Sequence, residues 1–321
     1  MNNVVDWLLE KQNPAIRYRT LTELLDTPEN DPESSLLYRS IWETKDVQKM
    51  LSRQNDAGIW EHGAKEYGVH TSLRYLTAFA EYGLRQDRRL DQAAEYAVHF
   101  LREKETADLA HDYTGCGNAL MLRALVMLGY HQDARVTDLV DRYAETQLSD
   151  GGFMCRRLLA QKPNRKGCYK ASVAALLLYA ECKCQGTLLL NTEQLVDYFL
   201  KRDVFFTTED KTKLVLDERP GWRAIDNFFP AETMRIGLPL IVDALSVLGA
   251  GNHPALDRAW EYLESKKNER GRLVLEGTLT KQPCKFGQVG EENKWVTLYA
   301  LLAERYRAGQ KTNDQSIAHI Q

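Results

Sequence analysis

The sequence predicts an all-α protein: about six helical hairpins closed into a double ring of inner and outer helices. Three observations carry this. Apolar residues recur at i, i+3, i+4 and i+7 through most of the chain, as in Leu73, Leu76, Thr77, Ala80 and Leu84, the pattern of a helix packed along one face. A helix–glycine–turn–helix unit returns three times, and so does a second motif, a tight glycine turn ending in an apolar plug. Alternating strand patterns are scarce; Lys213-Leu214-Val215-Leu216 is the best of them and is short.

In chain order, inner helices are predicted at 14–26, 70–83, 116–129, 168–180, 232–248 and 294–307. Outer helices are predicted at 4–12, 32–54, 89–103, 136–147, 192–201 and 254–267, the first lying beside the last to close the ring. Asn13-Pro14 and Asp31-Pro32 supply an N-cap followed by a proline whose missing N–H no helix needs at that place. The hairpin repeat aligns on Gly83, Gly129 and Gly249, each a stop after a helix. An aliphatic residue follows seven positions on (Leu90, Val136, Leu256), then Ala93, Leu139 and Ala259 at plus ten. The turn motif reads Gln54-Asn-Asp-Ala-Gly58-Ile-Trp60 and Gln147-Leu-Ser-Asp150-Gly151-Gly152-Phe153, with a worn copy at Lys267-Asn-Glu-Arg-Gly271-Arg-Leu273. On this reading 1–307 is a single ring, 1–53 supplies the closing N-terminal helices, and 308–321 is a polar, disordered tail.

Composition narrows the classes. The 321 residues carry 42 Lys+Arg against 45 Asp+Glu, a net charge of -3, with 44% hydrophobic residues. That is a globular composition without the basic footprint of nucleic-acid or anionic-membrane binding. The apolar stretches at 173–180 and 237–242 are far short of the ~20 residues a membrane helix needs. The opening Met1-Asn2-Asn3-Val4-Val5-Asp6 lacks the basic region of a signal peptide. Six cysteines are too few for a disulfide framework at this length, so a cytoplasmic protein with reduced thiols is expected.

These residues resemble the prenyltransferase/squalene-cyclase repeat superfamily, the terpenoid cyclase/protein prenyltransferase α/α toroid. The two glutamine turns are similar to its Q-x-x-[DG]-G-x-W repeat. An uncharacterised prokaryotic branch is more similar still, through Trp7-Leu8-Leu9, Asn13-Pro14-Ala-Ile16-Arg17-Tyr18, Cys116-Gly-Asn118 before Leu128-Gly129, and Lys294-Trp295-Val296-Thr297-Leu298. The resemblance implies a toroid with an apolar cavity for an isoprenoid or other apolar small molecule. The Asp-x-Asp-Asp and Asp-Asp-x-x-Asp motifs of its cyclases and synthases are absent. Lys166 stands where the zinc-binding Asp-x-Cys-Tyr pattern of protein prenyltransferases has its aspartate, before Cys168-Tyr169.

Candidate site residues are those that lead into one mouth of the ring. Cys116 and Cys168 open neighbouring inner helices and Cys155 lies on the loop between them. With His111 they make a candidate zinc set. Cys182 and Cys184, two apart on a helix, point apart and do not chelate together. The basic run containing Arg165, Lys166 and Lys170 is a candidate phosphate or diphosphate contact where helix amides also point. Asp112, Asp226 and His70 are candidate acids or bases. Trp60, Tyr67, Tyr113, Tyr169, Trp222, Phe229 and Trp295 are candidate aromatic walls, suited to cation–π stabilisation or to packing alone. Three functions follow: an isoprenoid-type enzyme or binder, a metal- or thiol-dependent protein, and a non-catalytic scaffold. The scaffold draws on 13–25, which also reads as a HEAT-type repeat.

Overall fold

The computed structural model describes residues 3–60, 71–106, 115–154, 166–219, 221–226, 236–277 and 283–318. Among these the protein is all-helical, its only pairings of extended backbone being two isolated antiparallel bridges, Phe206 with Leu214 and Val274 with Glu292. The first is as much of a strand as 213–216 forms. The helices are α1 (Asn3–Leu8), α2 (Pro14–Arg19), α3 (Pro32–Trp42), α4 (Lys45–Leu51), α5 (Thr71–Glu81), α6 (Arg88–Thr106) and α7 (Gly115–Met127). They continue as α8 (Ala134–Ala144), α9 (Tyr169–Cys184), α10 (Thr192–Leu200), α11 (Leu238–Val247), α12 (Asp257–Ser265) and α13 (Lys294–Ala318). Among the described residues no helix is long and apolar enough to cross a membrane.

Two differences from the sequence reading have local causes. The helix expected at 32–54 breaks into α3 and α4 because Thr44 takes an extended backbone, ψ 146°. Helix α2 widens into a π-helical stretch at Thr20–Leu24, where the Thr20 and Thr22 hydroxyls donate back to Ile16 O and Tyr18 O and compete with the backbone ladder. At the other end of the chain, α13 stays helical through Ala318.

The chain forms two compact units. The middle unit comprises Ser35–Leu195 with Leu279–Lys285; the terminal unit comprises Met1–Ser34, Val196–Thr278 and Phe286–Gln321.

In the middle unit α7 packs between α5 and α9, with α6 and α8 laid over it. That position explains its composition: Ala119 through Met127 are all buried, Arg123 included. Arg123 is tolerated because its Nη1 donates to Glu81 Oε1 on α5 at 2.9 Å, and Glu81 is 0% exposed. Gly83, Gly129 and Gly186 end α5, α7 and α9 at φ +77°, +91° and +82°, a left-handed backbone that a Cβ disfavours. Leu84 N–H donates to Phe79 O and Thr187 N–H to Cys182 O, so two of the three stops close alike.

In the terminal unit α11 lies along α13, and α12 covers α11. Gly249 ends α11 with the same closure, Ala250 N–H donating to Leu245 O. The start of the chain packs on its last helix: Arg19 Nη1 donates to the Tyr299 hydroxyl at 3.0 Å, and Arg305 pairs with Asp26. Trp7 of α1 lies under two cations, Arg272 at 4.3 Å and Lys294 at 5.3 Å.

The glutamine turns have one shared geometry. Gln54 Nε2 donates to Gly58 O and Arg89 O, both at 2.9 Å; Gln147 Nε2 donates to Gly151 O and Asn191 O at 2.8 and 3.4 Å. Each glutamine therefore ties its own turn to the start of a later helix, α6 for Gln54 and α10 for Gln147. The plug residue then latches to a buried hydroxyl on the helix that follows it, α5, α9 or α13. Trp60 N–H donates to Ser72 Oγ at 3.4 Å, Phe153 N–H to Ser172 Oγ at 2.9 Å and Leu273 N–H to Thr297 Oγ1 at 3.0 Å. The worn third copy keeps this latch without the glutamine.

Candidate functional site

The latch positions the start of α9. Asp150 accepts from Gly152 N–H at 3.1 Å and from Gly167 N–H at 2.8 Å, and Cys168 N–H donates to Phe153 O at 2.8 Å. Gly167 is required by this close approach, since a Cβ there would stand 2.6 Å from Gly152 Cα. Cys168 is the N-cap of α9, with extended backbone, and its side chain makes no cap bond.

Cys116, in the first turn of α7, and Cys168 are both half-buried. Both act on the phenol of Tyr143, which stacks on Phe153 with ring centres 5.1 Å apart and planes 3° apart. Burial pushes the Tyr143 phenol well above its usual value, with smaller electrostatic contributions from Cys116, Tyr179 and Cys168. Tyr143 therefore stays neutral and polar at physiological pH. It also lines a cavity of about 210 Å³ with Leu101, Asn118, Leu122, Leu139, Arg142 and Thr146, below the ~300–1,000 Å³ usual for drug-sized ligands. A 750 Å³ groove in the terminal unit is open and rimmed by Asp257, Glu261, Glu264, Lys267 and Glu304.

The sequence candidates distribute as follows. Lys166, Cys168, Tyr169 and Lys170 gather at the start of α9, Lys166 exposed and Tyr169 buried. Trp60 is wholly buried: its ring stacks on Tyr75 at 4.7 Å and its Nε1–H donates to Met50 O at 2.8 Å. Trp222, Asp226 and Trp295 belong to the terminal unit. Asp226 is ion-paired with Arg223, which also holds Asp217 at 3.1 Å. Trp295 is 3% exposed and meets Phe286 edge-on at 5.1 Å. His70, Tyr67, His111, Asp112, Tyr113, Cys155, Arg165 and Phe229 lie outside the described residues.

The donor set bears on zinc. Among the described residues no group of three His, Cys, Asp or Glu side chains is placed to hold a metal ion; Cys116 and Cys168 contribute two thiols near one phenol. Sequence reasoning missed Tyr143 and Asn118 as site residues. Asn118 carried a signal, as an amide in the first turns of a helix that is otherwise apolar apart from Cys116 and Arg123. Tyr143 carried only its near-register with Tyr96 and Tyr262 in the hairpin repeat. Comparison with known proteins adds no relative: no protein-family model matches the chain, and no curated protein matches it.

Proposed function

We propose that the chain is a prenyltransferase/terpene-cyclase-like α/α toroid that holds an isoprenoid or other apolar small molecule, with the head group toward the starts of α7 and α9. The observation that carries this reading is the triple latch: Trp60 to Ser72, Phe153 to Ser172 and Leu273 to Thr297. A latch repeated with the same partners is what a ring of hairpins requires, because each hairpin must hand its inner helix to the next. Helix α9, buried on every side over most of its length, has the character of an inner helix in a double layer. Lys166 and Lys170 beside the α9 amides favour an anionic head group. The test is titration of the full chain with a fluorescent farnesyl diphosphate analogue. Saturable binding competed by unlabelled farnesyl diphosphate supports the reading, and its absence at micromolar probe contradicts it.

A second reading is favoured by one observation, the two half-buried thiols Cys116 and Cys168 at the starts of the packed helices α7 and α9. Two thiols at helix starts are suited to soft-metal or thiol chemistry, with Cys155 and His111 as the further ligands the sequence offers. Protein purified without chelator is then expected to carry close to one zinc per chain; under ~0.1 zinc per chain excludes a resident metal.

A further inference from the structure

We draw no further inference here: the strongest candidate, the open cleft of about 430 Å³ between α6 and the start of α8, is an acidic cluster whose carboxylates Asp91, Glu95 and Asp133 are already met by the Tyr130 hydroxyl and by Arg135, and nothing among the described residues points to a ligand there.

Discussion

At the start of α9 in the middle unit, Phe153 donates its N–H to Ser172 Oγ and receives the N–H of Cys168 on its carbonyl. At the start of α13 in the terminal unit, Leu273 donates to Thr297 Oγ1 and receives the N–H of Asn293. In both, the latching hydroxyl stands four residues after the residue that returns the bond. The caps differ. Asn293 Oδ1 accepts Val296 N–H at 3.0 Å, and its Nδ2 donates to Phe286 O at 2.7 Å, so this helix start is bonded shut and 3% exposed. Cys168 caps nothing and stays half-buried near Tyr143. An asparagine N-cap stabilises a helix by about 0.5–2 kcal/mol over a non-capping residue. The middle unit forgoes that at α9 and keeps a thiol instead. Local rules are broken most often where function asks for it, and this is the physical case for placing the site in the middle unit.

The comparison can be pressed from its largest expected effect to its smallest. Glu81→Ala leaves Arg123 charged and unpaired between α5 and α7, and is expected to cost about 3–5 kcal/mol in urea denaturation; a loss near zero would mean that the core beneath the site is not organised around this pair. Removing the latches, Ser172→Ala and Thr297→Val, strands a buried backbone N–H in each unit and should cost about 1–3 kcal/mol apiece. A loss in one with none in the other would show the two helix starts to be alike only in outline. Asn293→Cys should lose about 1 kcal/mol and Cys168→Asn should gain about as much. A destabilised Cys168→Asn would break the equivalence of the two caps. The smallest readout is chemical. Burial pushes the Cys182 and Cys284 thiols up to about 12. At about pH 8 they should resist alkylation in the folded chain while exposed Cys184 reacts, as peptide mass spectrometry would show.

Much of the helical framework was legible because it is local. The stops at Gly83, Gly129 and Gly249 stand out against apolar helices, and the glutamine turns repeat outright. The fourth stop, Gly186, was hidden because the polar run Glu181-Cys-Lys-Cys-Gln185 blurs the helix end. The break at Thr44 was hidden because helical periodicity resumes in α4. The Glu81–Arg123 pair spans 42 residues and no local pattern encodes it. The site was half legible for the same reason. Cysteines at helix starts can be read from the sequence, and Cys116 and Cys168 do stand at the starts of α7 and α9. A cavity is volume left between α6, α7 and α8, and no single stretch of sequence states it. Trp60 and Trp295 illustrate the converse: an aromatic read as a cavity wall is, by composition alone, the same residue as one that fills a core.

The most direct measurement of the central claim is the alkylation rate of each cysteine with and without farnesyl diphosphate, resolved by peptide. If the starts of α7 and α9 hold the ligand, Cys116 and Cys168 slow together by about tenfold or more at saturation while Cys184 is unchanged. Rates at Cys116 and Cys168 left unchanged by saturating ligand, or a slowing that extends equally to Cys184, would contradict the account.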